Sequence, residues 1–202
     1  MKKDMEIIDK TLLDKELSKI NSEEIRNFTG KILSNVPDYF WDPEFKASSS
    51  GKYHLEVDGK VESLIDHTKR VFSISRIIIG NPLFSDILLS KEDQDCLMSA
   101  CLLHDSIKRG FDENDLTHTK FEHPIYVSQL ARDILSKEEL ERPFVNKILK
   151  MVESHSGPWN KSSRSNIELP TPETFLEILC HFCDYFASRQ GIFVDHTKLS
   201  EK

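Results

Sequence analysis

Apolar residues recur along this chain at intervals of three and four, the spacing that places side chains on one face of a helix. Between residues 61 and 79, Leu64, Val71, Ile74 and Ile78 form such a stripe, and Gly80-Asn81-Pro82 breaks the segment. A second helix is predicted from Ser90 to about residue 108, with Leu97 and Cys101 on its inner face. Ser90 and Asp93 there make a capping-box-like pair, with Asp in place of the usual Glu, and Gly110 stops the helix. Helices are then expected at 124–135 and 137–154, the latter interrupted near Glu141-Arg142 by Pro143, and a last one at 172–188. Two short helices are expected within residues 5–34, parted at Asn21-Ser22, with Ser22 capping the second and Gly30 weakening its end.

The segments between helices differ in character. Residues 111–122 and 157–170 are polar and read as loops. Residues 37–59 mix aromatics (Tyr39, Phe40, Trp41, Phe45) with Ser48-Ser49-Ser50-Gly51 and the turn Asp58-Gly59, which favours irregular structure and a candidate short hairpin at residues 53–61. That stretch is expected to wrap over the core, with a lid or an oligomer contact as the functional alternative. No internal repeat interrupts the sequence.

Histidine changes the picture, because it falls on the apolar stripes. His67 continues the stripe of Leu64 and Val71, His104 that of Leu97 and Cys101, and His155 that of Ile148 and Val152. Each imidazole should face inward. One inward histidine is usually a hydrogen-bonded core residue, but three of them beside a carboxylate, Asp105, call for a compensating cation. Imidazole nitrogen and carboxylate oxygen are the donors that divalent transition metals accept.

The order His67, then Leu102-Leu103-His104-Asp105, then Asp184 in Cys183-Asp184-Tyr185-Phe186-Ala187-Ser188-Arg189 resembles the HD-domain metal-dependent phosphohydrolases over about residues 60–190. The resemblance implies an all-α fold, a compact helical bundle with an irregular insertion near residues 37–60. It implies a divalent metal on His67, His104, Asp105 and Asp184, and a phosphate ester or anhydride, usually of a nucleotide, as substrate. His123 in His123-Pro124 and His155 resemble the extra histidines of the branches that hold two metals, with Asp105 as the natural bridging carboxylate. Asp105 and Lys108 are the expected catalytic groups. Lys108 follows His104 by four residues, one helical turn along the same face, where the superfamily often carries a basic residue. A few relatives with the same six-ligand pattern use a di-iron centre to oxidise a small organic substrate, which makes an oxygenase the alternative activity. A non-catalytic nucleotide-binding module is the third reading.

The divided chain is then residues 1–59, N-terminal helices and irregular wrap; 60–190, the metal-binding catalytic unit; and 191–202, a tail. One or two divalent ions are expected, and the donors accept manganese, iron, cobalt, nickel or zinc alike. For the substrate, Trp159 could stack a base or pin its loop, Lys161 and Arg164 could clamp a phosphate, and Arg109, Lys69 and Arg70 are weaker candidates that suit a solvated surface. His181, three residues before Asp184, is the rival ligand or an outer hydrogen-bond partner, whereas His54, His118 and His196 lie in polar stretches.

Composition narrows the partners. The net charge of −7, from 27 basic and 34 acidic residues, argues against extended nucleic acid and for a small-molecule nucleotide. No apolar stretch reaches membrane length and the polar start lacks a secretory centre, so no membrane and a cytoplasmic location are expected, with a homo-oligomer as a further option. Cys96, Cys101, Cys180 and Cys183 sit among apolar neighbours and should be reduced; the Cys180-x-x-Cys183 pair suits core packing better than zinc or redox chemistry.

Overall fold

A computed structural model of the chain describes residues 8–49 and 60–189. The described residues form eight α-helices: α1 (Asp14–Leu17), α2 (Glu23–Leu33), α3 (Leu64–Ile79), α4 (Lys91–Leu103), α5 (His123–Ile134), α6 (Lys137–Leu140), α7 (Pro143–Ser154) and α8 (Phe175–Ala187). A 3₁₀ turn at Asp38–Trp41 and a π-helical turn at Leu83–Leu88 complete the set. The only β pairing among the described residues is an isolated antiparallel bridge between Lys46 and Ser63. The fold is all-α, as the resemblance implies and in keeping with the helical spacing of the apolar residues.

Helix α4 is the centre of the bundle, packed by α2, α3, α7 and α8. Every residue from Gln94 to Leu103 is buried, so beyond its first turn this helix has no solvent face and its apolar positions form a full collar rather than a stripe. The polar members of the collar are paired. Thr29 and Ser99 share a hydroxyl hydrogen bond of 2.6 Å between α2 and α4. The Asp95 carboxylate accepts the backbone N–H groups of Asn21 and Ser22 at 3.0 and 2.8 Å, which fixes the entry of α2 against α4.

Capping sets most of the helix starts. Ser22, Ser63, Ser90, Ser136 and Thr174 each accept a backbone N–H of the first turn with their side chains, and Ser90 and Ser136 form full capping boxes with Asp93 and Glu139. α2 runs through Gly30 and ends at Leu33. α3 starts at Leu64, three residues later than expected, because the chain up to Ser63 pairs with residues 45–47: Ala47 N–H donates to the Glu62 carbonyl at 3.0 Å and Leu64 N–H to the Phe45 carbonyl at 2.7 Å. The break before Pro143 divides α6 from α7 where it was expected.

The largest departure from expectation lies at the end of α4. The helix stops at Leu103 and not near residue 108; residues 104–110 continue in tight turns with Ser106 N–H on Leu103, Lys108 N–H on Asp105 and Gly110 N–H on Ile107. Gly110, at φ 83°, closes this turn rather than the helix. The aromatic segment does cover the core, burying Tyr39, Phe40 and Trp41, although part of it coils into the 3₁₀ turn. The candidate hairpin at residues 53–61, with His54, falls almost wholly outside the described residues, as does His196. All four cysteines are free and buried. No described helix is long and apolar enough to cross a membrane.

Asp95→Ala should lower stability by about 1–3 kcal/mol, because two backbone donors at the start of α2 lose their acceptor. Chemical denaturation of the variant beside wild type measures it.

Candidate metal centre

Five helices deliver their chemistry to the end of α4. His67 comes from the first turns of α3, His104 is the C-cap of α4 and Asp105 follows it, His123 opens α5, His155 is the C-cap of α7 and Asp184 lies in the last turn of α8. Two helix C-termini therefore point partial negative charge at the site, which favours a cation. His67, His104, Asp105, His123 and His155 are all buried.

These six side chains fall into two groups that share one residue. In the first, ligand-capable atoms of His67, His104, Asp105 and Asp184 lie within 4.8 Å of one another; in the second, those of Asp105, His123 and His155 do. Asp105 divides its oxygens between them. Its Oδ2 is 3.5 Å from His67 Nε2 and 3.4 Å from His104 Nε2, while its Oδ1 is 3.0 Å from His123 Nε2 and 3.7 Å from His155 Nε2. Asp184 Oδ1 closes the first group at 3.1 Å from His67 and 3.7 Å from His104.

The outer hydrogen bonds fix which nitrogen of each ring faces inward. Nδ1 of His104, His123 and His155 meets the carbonyls of Cys101, Lys120 and Val152 at 2.8, 2.7 and 2.7 Å. A carbonyl only accepts, so each Nδ1 carries the proton and each Nε2 is left to face the site. His67 differs: its Nδ1 faces the carboxylate of Glu62 at 3.3 Å, and that buried carboxylate also pairs with Arg70 at 2.9 Å. The Nε2 atoms then crowd together, His67 against His104 at 3.3 Å and His123 against His155 at 3.2 Å. Lone pairs this close repel unless a proton or a cation lies between them. The buried Asp105 Oδ1 has no hydrogen-bond donor either. Convergent nitrogens, a shared carboxylate and an unsatisfied oxygen fit one divalent ion in each group.

Electrostatics without a metal shows protons filling part of that role. Burial alone would depress the pKa of His67, but the carboxylates of Asp184 and Glu62 outweigh it and raise it to about 9. His104 is also raised, against burial, by Asp105 and Asp184. Burial together with the charges of His123 and His104 pushes His155 down to about 3, so it is neutral at physiological pH. Burial would raise Asp105, yet Lys108 and His104 hold it well below the usual carboxylate range.

Beside the centre lies a pocket of about 460 Å³, reached by Asp105, Lys108, His123, His155 and Asp184. Lys108 pairs with Asp105 Oδ2, and it arrives through the tight turn after α4 instead of along a helix face. Trp159 forms one wall: 56% exposed, it stacks on Tyr185 with ring centres 5.8 Å apart and planes at 6°. The other candidate cations lie elsewhere. Lys161 is paired with Glu168 at 3.1 Å on the surface, and neither it nor Arg164 lines the pocket. Arg109 is buried rather than solvated, bound to the Lys46 carbonyl at 3.1 Å and to Thr119, with its guanidinium over Phe45. Arg70 is buried against Glu62. His181 lies outside both ligand groups; its Nδ1 donates to the His155 carbonyl at 2.7 Å, and it lines the pocket. His118 is exposed.

Four residues of the site had no sequence signal of their own type. Glu62 precedes the cap of α3, a position that reads as surface until the bridge to Lys46 buries it. Tyr185 and Arg189 follow Asp184 on the same pocket wall, with the Arg189 guanidinium 4.1 Å from the Tyr185 ring centre. Gly157 holds φ 60°, and a Cβ there would meet the His181 ring at 2.3 Å, so only glycine lets that ring reach the His155 carbonyl.

With this geometry in place, comparison with known families is decisive. The family model of the HD domain matches residues 64–200, more than half of the chain, and the protein belongs to the HD-domain family. No curated protein and no solved structure gives a significant match. HD domains bind divalent metals, and the two His/Asp groups are positioned to hold them.

Glu62→Gln should weaken the first ion by roughly 10–100-fold while leaving helical content unchanged, since outer partners of metal-bound histidines commonly contribute that much. Equilibrium dialysis with manganese and circular dichroism read the two effects. Because His67 and His104 hold protons more tightly than free imidazole does, metal uptake near pH 7 should release protons, and affinity should rise as pH climbs toward about 9. Calorimetry in two buffers of different ionisation enthalpy measures the release.

Proposed function

We propose that the protein is a metal-dependent phosphohydrolase that cleaves a phosphate ester or anhydride of a nucleotide. The observation that carries this reading is the division of Asp105 between two imidazole pairs at the floor of an open pocket. His67, His104, Asp105 and Asp184 would hold one ion, and Asp105, His123 and His155 a second. Bound ions of this kind supply Lewis acidity toward phosphoryl oxygens and lower the pKa of water.

The chain's own residues supply binding and orientation. Lys108 sets a buried ammonium beside Asp105, and Arg189 lines the same pocket, so the cavity carries positive charge suited to the non-bridging oxygens of a phosphate. Ser156, Ser188 and Thr119 add hydroxyls along the lining. Trp159, stacked on Tyr185 with its outer face open, offers a platform for a base. A pocket of about 460 Å³ lies within the ordinary range for small-molecule sites and suits a mononucleotide better than a polymer. Burial of Asp105 and the four imidazoles keeps most of the ligand set ordered before substrate arrives.

The direct test is phosphate release from a panel of mono-, tri- and cyclic nucleotides with added manganese. Asp105→Ala should abolish turnover and metal binding together. His155→Ala should cost activity and leave one ion bound, whereas Lys108→Ala should raise KM or lower kcat at unchanged metal content. Oxygen-dependent turnover on bound iron, with no phosphate released from any nucleotide, would overturn the proposal in favour of an oxygenase.

A further inference from the structure

Helix α8 is apolar on both of its faces. Its inner face, Leu179, Cys180, Cys183 and Ala187, packs into the core. Its outer face presents Phe175, Ile178, Phe182 and Phe186, spaced three, four and four residues apart and each 38–46% exposed. The two ionisable carboxylates of the helix do not relieve this surface: Glu177 is buried, accepting the Glu173 N–H and the Thr174 hydroxyl, and Asp184 belongs to the metal centre. A helix apolar all round is normally covered all round.

The patch extends beyond the helix. Phe84 of the π-helical turn stacks on Phe175, with ring centres 6.3 Å apart and planes at 1°, and joins α8 to Leu83, Ile87 and Leu88, which are 48–74% exposed. Taking about 200 Å² for a whole large side chain, these seven residues leave roughly 650 Å² of apolar surface. The largest apolar patch on an ordinary monomer is about 300–600 Å². A standard interface buries about 800 Å² per partner, of which about 65% is apolar in homodimers, so this patch supplies the apolar area that one needs.

We infer that the outer face of α8 and the adjoining π-helical turn form the contact between two copies of this chain, related by a two-fold axis across α8. The chemistry favours a second copy over a different partner. A row of rings and branched chains at helical spacing on α8, itself uncharged, interdigitates with its own antiparallel image, so no like charges meet at an axis across that helix; the adjoining turn adds one exposed carboxylate, Asp86. The contact also reaches the pocket. Phe182 lies 5.6 Å from the His181 ring and 6.4 Å from Tyr185, both of which line the cavity, so a partner pressed on Phe182 braces the wall that carries Trp159. This inference stands whether or not the substrate is a nucleotide.

Sedimentation velocity of the full chain at micromolar concentration tests it, with metal content per chain as the check on folding. Wild type should sediment as a dimer of the 23.4 kDa chain. Phe182→Glu should raise the dimer dissociation constant at least 100-fold, and Ile87→Lys, at a position too exposed to disturb the monomer, about 10-fold. If Phe182→Glu fails to fold, Ile87→Lys alone decides. A wild-type monomer overturns the inference, whether residues 190–202 or a different protein then cover the face, and so does a dimer whose dissociation neither variant changes.

Discussion

A buried carboxylate with imidazole pairs on either side is the constraint around which this molecule is organised. Asp105 is sealed from water, it carries charge, and its two oxygens face different histidine pairs. Desolvating a carboxylate costs several kcal/mol unless an opposite charge is close. Lys108 offsets part of that cost, and protons on His67 and His104 offset more, but both leave the Nε2 atoms crowded and Oδ1 without a donor. Divalent ions held by these residues would satisfy every one of these groups at once, which is why metal binding and stability of the central helices are expected to be coupled.

The fold serves this constraint by bringing helix ends together. α4 and α7 stop at His104 and His155, α5 begins at His123, and the tight turn after α4 swings Asp105 and Lys108 inward. The carbonyls of Cys101, Lys120 and Val152, three residues before each ring, accept the Nδ1 protons of His104, His123 and His155, so the turns at these helix ends orient the donors. The aromatic wrap at residues 39–47 is part of this support. It buries Arg109 and pairs with the residues before α3, which places Glu62 behind His67.

Much of this was legible in the sequence, for a physical reason. Histidines on apolar helix stripes must point inward, so His67, His104 and His155 could be placed in the interior before any fold was known; Pro124 marked a helix start and Pro143 a break, which the structure resolves into the start of α7. What stayed hidden depended on backbone irregularity or on partners distant in sequence. The early stop of α4 rests on tight turns that helical spacing does not report, and the π-helical turn at Leu83–Leu88 has no periodic signal. Arg109 reads as surface because arginine usually is; only the packing of Phe45 and the Lys46 carbonyl reverses that. Glu62 and Gly157 acquire roles through His67 and His181, residues they meet only after folding.

The central claim is that Asp105 bridges two ions, and electron paramagnetic resonance on the manganese-loaded protein tests it most directly. A shared carboxylate couples the two spins, so the account predicts an exchange-coupled spectrum at two equivalents that collapses to that of isolated ions in His155→Ala. A spectrum of isolated manganese in the wild-type protein, at saturating metal, would contradict it.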